Sequence, residues 1–239
     1  MKKIGLIGGT GPESTLMYYK ELNSRIDKMT NGAAMPDMVI ESVDFRRAWN
    51  LVCDAKYDEL ADYLAEKVSC LKSSGAEVIS LTAGTMHIVY DQIIRKSGMD
   101  LVSIPRAVCD EVVSKGIKKV GLLGTIFTME KDYMKKDLLA AGIQVIIPSE
   151  EERALVAKRI LEELELGIVK KSTLKEFNSI ISRMKDEEEI EAIILGCTEL
   201  PLLLNSDNCE VLCLDSVDIH INKLIELALG YEKRGLTTK

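Results

Sequence analysis

Long apolar runs and an excess of basic residues are both missing from this chain of 239 residues. No run approaches the roughly 18–20 apolar residues that a membrane-spanning helix needs, so we expect no membrane partner. Lys and Arg number 31 against 38 Asp and Glu, and the net charge of −7 argues against nucleic-acid binding. Glycines interrupt the short apolar run at the amino terminus, which is typical of a strand and not of a signal peptide, so we expect a cytoplasmic protein.

Clusters of metal-ligating residues are also scarce. The chain has two histidines, His87 and His220, and none of its six cysteines forms a Cys-x-x-Cys pair. Since structural zinc sites need such spacings, we predict no metal site. Most cysteines in a reducing compartment are small core residues. We expect that role for Cys53, Cys70, Cys109, Cys209 and Cys213.

Apolar runs typical of buried strands alternate with amphipathic stretches typical of helices. The predicted strands are residues 3–7, 38–42, 78–81, 101–104, 119–123, 144–147, 192–195 and 210–214. The predicted helices are residues 14–29, 57–73, 86–96, 107–115, 130–141, 150–166, 172–185 and 217–231. This alternation predicts an α/β protein with parallel sheets, in which ligands bind at the carboxyl ends of the strands.

The chain contains an internal repeat. Residues 2–9 return with conservative changes as residues 118–125, and residues 77–84 match residues 191–198. Two similar halves are therefore expected, each large enough to bury its own core.

From this repeat we predict two pseudo-symmetric α/β domains, each a four-stranded parallel sheet flanked by helices. The first domain would comprise residues 1–98 plus about 215–239, and the second would comprise residues 99–214. The tail, residues 233–239, is expected to be frayed.

Cys197 lies directly after the predicted strand 192–195 and is followed by Thr198 and Glu199. A thiol at the carboxyl end of a buried strand, beside hydrogen-bonding side chains, is typical of a reactive site. Its reactivity depends on a lowered pKa, which a helix amino terminus or hydrogen-bond donors can supply. In the repeat, the counterpart of Cys197 is Ala83, which carries no reactive group. The alternative is that Cys197 is a sixth core thiol.

Two polar turns follow predicted strands of the first half. Residues 8–14 read Gly-Gly-Thr-Gly-Pro-Glu-Ser and lack the Gly-x-Gly-x-x-Gly spacing of a dinucleotide site. A carboxylate or a phosphate at the following helix amino terminus fits better, and a plain tight turn is the alternative. Residues 82–87 bring Thr82, Thr85 and His87 to a second strand end, where His87 is either functional or a residue with a satisfied ring.

A third polar turn, residues 124–130, is the counterpart of residues 8–14. Thr125 and Thr128 lead into a helix and could bind one carboxylate through their hydroxyls and backbone N–H groups. The alternative is that Thr128 is only a helix N-cap.

At these residues the chain resembles the aspartate/glutamate racemase superfamily of cofactor-independent amino-acid racemases. The resemblance spans nearly the whole length and is carried by residues 8–15, 42–45, 85–87, 124–125, 128–129, 152–153 and above all 196–199. It implies two α/β domains with an amino-acid substrate in the cleft between them, no pyridoxal phosphate and no metal. Members often form dimers, which is compatible with a homodimer here. The implied substrate-binding residues are Thr10, Gly84, Thr85, Thr125, Thr128, Thr198 and Glu199.

The chain departs from the family pattern at the first-domain site. The resemblance implies two thiols on opposite faces of the α-carbon, one removing the proton and one returning it. The family has Cys-Asn-Thr there, or Thr-Asn-Thr in a subgroup, whereas this chain has Ala83-Gly84-Thr85. Ala83 cannot transfer a proton, and Gly84 lacks the amide that would hold the substrate. Thr82, one residue earlier, is a weak substitute for the missing acid/base.

Three functions remain open at this point. The leading interpretation is a racemase that acts on aspartate or glutamate, with Cys197 as one acid/base. A lone Cys197 could instead serve a one-base decarboxylase or isomerase of a dicarboxylate, and the third alternative is a binding protein that has lost catalysis. Arg47 and Asn50 either meet a distal substrate carboxylate or simply face solvent.

Overall fold

A computed structural model describes residues 1–230 of the chain. Its strands and helices alternate, as the sequence predicts. In chain order they are β1 (Ile4–Gly8), α1 (Pro12–Met29), β2 (Met38–Ser42), α2 (Phe45–Cys53), α3 (Tyr57–Ser73), β3 (Val78–Leu81), α4 (Tyr90–Ser97), α5 (Ile104–Ser114), β4 (Lys119–Leu123), α6 (Ile126–Glu130), α7 (Lys136–Ala140), β5 (Gln144–Ile146), α8 (Glu150–Glu162), α9 (Lys171–Glu188), β6 (Ala192–Leu195), β7 (Leu212–Asp215) and α10 (Ser216–Leu229). Three short 3₁₀ helices span Thr85–Val89, Leu164–Leu166 and Leu200–Leu202.

The chain divides into two units. Unit 1 is Met1–Ser103 together with residues 221–230, and unit 2 is Ile104–His220. The predicted domain limits, after residues 98 and 214, stay a prediction. The end of the last predicted helix at residue 231 and the predicted frayed tail at 233–239 lie outside the described residues.

Unit 1 contains a parallel sheet with the strand order β2-β1-β3. Four strands are predicted here, but the fourth, at residues 101–104, does not form. Val102 makes one isolated parallel bridge to Ser80, whose hydroxyl donates to the Val102 carbonyl at 2.8 Å. Helix α5 begins at Ile104, and Pro105 in its first turn has no N–H to continue a ladder. The sheet of unit 1 therefore has three strands.

Unit 2 contains the predicted four-stranded parallel sheet, with the order β5-β4-β6-β7. The β5-β4-β6 part repeats the β2-β1-β3 arrangement of unit 1. In both units the central strand pairs with the strand that precedes a candidate site: Ile7 is opposite Leu81, and Leu123 is opposite Leu195. The predicted α/β class with two pseudo-symmetric halves is confirmed.

The core of unit 2 shows why these segments form helices. Helix α9 buries residues three or four apart, and Phe177, Ile181 and Met184 are at most 1% exposed. They pack in one apolar cluster with Val156 of α8 and Ile193 of β6. Burial of this face stabilises both the helix and the strand on which it packs.

Three helical segments differ from their predictions. Helix α2 was not predicted, although Asp44 is a good N-cap and accepts hydrogen bonds from the backbone N–H groups of Arg46 and Arg47 at 2.9 and 3.2 Å. The helix predicted over residues 130–141 is shortened to α7, and the α6 turn precedes it. The helix predicted over 86–96 begins as the 3₁₀ turn Thr85–Val89. In residues 1–230 no helix is both long and apolar enough to cross a membrane.

We predict that the Glu152–Arg183 ion pair makes unit 2 sensitive to acid. Arg183 donates to both carboxylate oxygens of Glu152, at 2.7 and 2.8 Å, and Ser149 N–H donates to one of them at 2.8 Å. Donation by Arg183, above all, lowers the pKa of Glu152. The pair therefore stabilises the fold above the unfolded pKa of about 4.3, and this stabilisation is lost as the pH falls through the lower folded pKa. Glu152→Gln should reduce the free energy of unfolding by about 1 kcal/mol near pH 7.

Urea unfolding of the wild type and of Glu152→Gln across the acid range would check this prediction. The stability difference should shrink as the pH falls. Glu151→Gln is the matched control, since Glu151 is an exposed neighbour in the same helical turn. If the difference in free energy of unfolding between the two proteins stays constant down to the lowest pH, the ionisation of Glu152 does not contribute to stability as predicted.

Candidate active site

The pairing of β4 with β6 brings two of the predicted motifs together in unit 2. Leu123 and Leu195 are opposite each other at the carboxyl ends of these strands, and Gly196 N–H donates to the Leu123 carbonyl at 2.8 Å. The approach is close: a Cβ on Gly196 would lie 2.7 Å from Cγ2 of Thr128 and 2.9 Å from the Leu123 oxygen. Glycine at 196 therefore allows Thr128 to lie directly beside the residue that precedes Cys197.

The thiol of Cys197 donates a hydrogen bond to a carboxylate. Its Sγ donates to Oε2 of Glu199 at 2.7 Å, while the Thr198 hydroxyl donates to Oε1 of the same group at 2.5 Å. All three side chains are partly buried. The tetrapeptide 196–199 thus forms one local cluster in which Glu199 can accept the thiol proton.

The surroundings of Cys197 do not supply the lowered pKa on which thiol reactivity commonly depends. Burial raises the pKa of Cys197 well above its usual value, and the negative charge and hydrogen bond of Glu199 raise it further. The reason is that its neighbour is a hydrogen-bond acceptor, whereas a donor or a cation would stabilise the thiolate. At neutral pH the resting group is therefore a thiol.

Sequence reasoning missed Glu165, a second acid near this cluster. Glu165 is exposed overall and lies in the 3₁₀ helix Leu164–Leu166, where partial burial of its carboxyl group and the charge of Glu199 raise the pKa of that group. Its charge in turn contributes to the raised pKa of Cys197. No motif points to Glu165, because it is distant in sequence and only the fold brings the two acids near each other.

Thr125 and Thr128 form a hydroxyl pair at the end of β4. Thr125 is the N-cap of α6 and accepts the Thr128 N–H at 3.3 Å, so the alternative of Thr128 as the N-cap is wrong. The two Oγ1 atoms are 3.1 Å apart, and Thr128 Oγ1 is also 2.9 Å from the hydroxyl of Tyr133. Tyr133 is a further residue that the sequence did not single out.

In unit 1 the position equivalent to Cys197 is occupied by Ala83. Ala83 lies two residues after Leu81, the last residue of β3, and Cys197 lies two residues after Leu195, the last residue of β6. Ala83, Gly84 and Thr85 are partly buried and lead into the 3₁₀ turn. The equivalent backbone position is therefore present in unit 1, but its residue has no thiol.

His87 lies in the interior of unit 1. Its ring is 2% exposed, stacks on Tyr90, and places Nδ1 3.1 Å from the carbonyl oxygens of both Ala83 and Gly84. A ring N–H at Nδ1 satisfies these carbonyls, which agrees with the interpretation of a structural histidine with a satisfied ring.

The hydroxyl of Thr82 is buried and already has a hydrogen-bond partner. The residue is fully buried, and its hydroxyl donates to the Ile7 carbonyl at 3.2 Å and lies 3.5 Å from the Thr15 hydroxyl. Its own carbonyl accepts a hydrogen bond from Ser14. This geometry argues against Thr82 as the missing acid/base.

The turn after β1 contains a polar group with no partner. Gly9 and Gly11 adopt φ values of +80° and +131°, and a Cβ on Gly9 would lie 2.5 Å from the Val43 oxygen, so only glycine fits. Thr10 is 7% exposed, and its hydroxyl has no hydrogen-bond partner within residues 1–230. It precedes α1, whose first N–H groups receive no side-chain cap from Gly11. A buried hydroxyl beside open N–H groups suits an anion such as a carboxylate.

Arg47 stacks on an aromatic ring of unit 1. Its guanidinium carbon is 4.0 Å from the centre of the Tyr63 ring, and Arg47 and Asn50 are both exposed on α2.

No three His, Cys, Asp or Glu side chains among residues 1–230 are grouped so that they could hold a metal ion.

Comparisons with known proteins identify a family and related structures for this chain. A family model described as Asp/Glu/Hydantoin racemase matches residues 7–224. The crystal structure of an aspartate racemase homologue from Pyrococcus horikoshii is 37% identical, with a TM-score of 0.86, and the match covers 96% of this chain and 100% of that one. Aspartate racemase from Picrophilus torridus, 21% identical over 95% of this chain and 94% of its own, shares the fold with a TM-score of 0.74. The broad specificity amino-acid racemase RacX of Bacillus subtilis is 22% identical over 96% of this chain and 99% of RacX. These likenesses support a racemase, which is an isomerase.

We predict that Glu199→Gln makes Cys197 more reactive toward alkylation. Loss of the carboxylate charge should lower the pKa of the thiol, so that more thiolate is present near neutral pH. The rate of iodoacetamide labelling at Cys197, followed by mass spectrometry across pH, should rise by about threefold or more near pH 7. Glu210→Gln is the control, since Glu210 pairs with Lys185 on the same unit. An unchanged pH dependence in Glu199→Gln would show that burial alone sets the pKa of the thiol.

Proposed function

The chain belongs to the Asp/Glu/Hydantoin racemase family, and we propose that it is an amino-acid racemase acting on aspartate or glutamate, with Cys197 as one acid/base. The observation that carries the proposal is the contact of 2.7 Å between the Cys197 thiol and the Glu199 carboxylate. It supplies a nucleophilic group together with an internal acceptor for its proton. The names of the aspartate racemase homologue and of RacX support an amino acid as the substrate.

In the proposed step, Cys197 works as a base only after it has passed its own proton to Glu199. The S–H bond breaks as Oε2 takes the proton, and the thiolate then removes the α-proton of the amino acid. The electron pair of the broken C–H bond stays on the substrate as a carbanion. A thiol with a raised pKa is a strong base once deprotonated, which suits an α-proton that is only weakly acidic.

Hydroxyl and backbone donors are proposed to hold the carboxylate groups of the substrate. In unit 2 the proposed donor is the hydroxyl of Thr125 at the end of β4, since the Thr198 hydroxyl already donates to Glu199. Unit 1, taken by itself, has donors that suit a carboxylate in Thr10, whose buried hydroxyl lacks a partner within residues 1–230, and in Thr85 with the backbone of Gly84. Donors fixed by packing before the substrate arrives lose little entropy on binding.

Inversion also requires a proton from the opposite face of the α-carbon. Ala83 cannot supply it, and the Thr82 hydroxyl is committed to the Ile7 carbonyl. We therefore assign this proton to a water molecule, whose O–H bond breaks as the carbanion takes the proton and which is left as hydroxide. A water is a weak acid in this role, so racemisation should be slower than exchange at the face that Cys197 serves.

A second candidate is a one-base enzyme that removes carbon dioxide from a malonate-like dicarboxylate. One observation favours it: the Cys197 thiol donates to Glu199 at 2.7 Å, and a protonated thiol can deliver a proton to a carbanion that forms when carbon dioxide leaves. Decarboxylation needs only this single protonation, so the absence of a group at Ala83 would be of no consequence.

We predict that Cys197→Ala abolishes proton exchange at the α-carbon. Proton NMR in heavy water would follow the α-proton of L- and D-aspartate and of L- and D-glutamate, and chiral chromatography would follow the enantiomers. Loss of an acid/base group should slow exchange by roughly a hundredfold or more. Cys209→Ala is the matched control, because Cys209 is another partly buried cysteine of unit 2.

The same experiment separates the candidates. Exchange with formation of the opposite enantiomer supports the racemase, whereas carbon dioxide released from phenylmalonate without exchange of aspartate supports the one-base enzyme. Exchange that survives in Cys197→Ala would refute the role of the thiol. Binding without any Cys197-dependent turnover would indicate a binding protein.

We predict that Ala83→Cys increases racemisation more than exchange. The substitution would restore a thiol at the position that is equivalent to Cys197 within its own unit. Racemisation of aspartate should rise by about tenfold or more, since a positioned acid replaces water. The effect should disappear in the Ala83→Cys/Cys197→Ala double variant. Equal rates in the wild type and in Ala83→Cys would argue against a function for this position.

A further inference from the structure

Two cysteines of unit 2 lie close together at a place that the proposed function does not use. Cys213 lies in β7, the outer strand of the order β5-β4-β6-β7, and Cys209 lies just before that strand. The chain bends at Glu210 and Val211, between the two cysteines, and their side chains are in hydrogen-bond contact. The bend therefore makes a pair of thiols from two residues that are near each other in the sequence.

Val211 contacts both sulfur atoms of this pair. Its N–H donates to Sγ of Cys209, and its carbonyl oxygen lies 4.0 Å from Sγ of Cys213. The backbone of one residue thus helps to position both thiols. Which sulfur donates to the other does not alter the arrangement, because either direction leaves the two sulfur atoms in contact.

The pair is neither deep in the core nor fully exposed. Both cysteines are partly buried, and both pack against the apolar cluster that includes Ile193 of β6. Cys213 is opposite Ile193 in the ladder between β6 and β7. One side of the pair is therefore fixed by packing, while the partial exposure of both residues lets a small solute reach the sulfur atoms.

The surroundings of Cys209 have the opposite effect on a thiol from those of Cys197. The hydrogen bond from Cys213, with further donation by the backbone N–H groups of Val211 and Glu210, lowers the pKa of Cys209 against the opposing effect of burial. Donors stabilise a thiolate, which is the nucleophilic form of cysteine. Near neutral pH a larger share of Cys209 than of Cys197 is therefore present as thiolate.

We propose that Cys209 and Cys213 form a modification site that a peroxide converts to an intramolecular disulfide, with Cys209 as the attacking sulfur and Cys213 as the resolving one. The contact between the two thiols at the bend is the basis of the proposal, since a disulfide requires two sulfur atoms side by side. The inference goes beyond the proposed function, because it involves neither Cys197 nor a substrate.

The reaction has two steps. First, the Cys209 thiolate attacks one oxygen of hydrogen peroxide; an S–O bond forms, the O–O bond breaks, and hydroxide leaves and recombines with the proton that Cys209 had released. Second, the Cys213 sulfur attacks Sγ of the Cys209 sulfenic acid; the S–S bond forms, the S–O bond breaks, and the leaving oxygen takes the Cys213 proton and departs as water. Two thiols are oxidised, and the peroxide is reduced to two molecules of water.

Peptide mapping of the wild type tests the site without any substitution. The folded protein would be treated with hydrogen peroxide near neutral pH, quenched with N-ethylmaleimide, unfolded and digested after glutamate. Cleavage after Glu210 separates the two cysteines, so a disulfide appears as two joined peptides that dithiothreitol releases. Free Cys209 should disappear about tenfold faster than free Cys197 or more, and non-reducing electrophoresis should show a single chain. Absence of the joined peptides, or equal rates at Cys209 and Cys197, would overturn the proposal.

Substitution of the resolving cysteine separates the two steps. In Cys213→Ser, oxidation should stop at the sulfenic acid of Cys209, and dimedone labelling of Cys209 should exceed that of the wild type by about tenfold or more. In Cys209→Ser, no sulfenic acid should form at Cys213. Cys70→Ser is the matched control, since Cys70 is exposed on α3 of unit 1, and it should leave the disulfide unchanged. Dimedone labelling of Cys213 and not of Cys209 would contradict the assigned roles.

The same oxidation in urea separates the effect of the fold from that of closeness in the sequence. Once the chain is unfolded, Cys209 and Cys197 lose their different surroundings, so the ratio of their oxidation rates should fall to about twofold or less. A preference for Cys209 that persists in urea would show that the local sequence, and not the bend at Val211, makes this thiol reactive, and the inference would then be wrong.

Discussion

The parallel pairing of β4 with β6 is the constraint on which the candidate site of unit 2 depends. Both strands end side by side at Leu123 and Leu195, and the chain continues from them through Gly124 and Gly196. Thr128 fills the space beside both glycines, and Cys197 follows immediately. A side chain at either glycine would displace Thr128, because close-packed interiors have no spare volume. The thiol and the hydroxyl pair are therefore positioned by the same contact.

Charge, as much as position, determines what the thiol can do. Cys197 is hydrogen-bonded to Glu199, and Glu165 adds a second negative charge that acts on the thiol. Many reactive cysteines lie beside cations or helix amino termini, where the thiolate is stable at neutral pH. Here the thiolate is disfavoured, and a proton acceptor lies at hydrogen-bond distance. Such an arrangement suits the transient deprotonation that the proposed function requires.

The two units share a topology but differ in chemistry. The order β2-β1-β3 in unit 1 matches β5-β4-β6 in unit 2, and both units end the relevant strand with a polar turn. Unit 1 retains a buried hydroxyl, Thr10, with no partner inside residues 1–230, yet it has Ala83 where unit 2 has Cys197. The features of unit 1 suit binding, whereas those of unit 2 suit proton transfer.

The alternation of apolar and amphipathic segments determined the α/β class, since buried parallel strands and helices leave clear patterns. The internal repeat and residues 196–199 indicated the family, which the comparisons confirmed. Local pattern could not show that residues 101–104 leave the sheet, because Ile104 and Pro105 start a helix there. The direction of the pKa shift of Cys197, the inward hydroxyl of Thr82 and the contacts of Glu165 and Tyr133 were decided by the tertiary structure. Each depends on distances between side chains, and a linear sequence does not contain those distances.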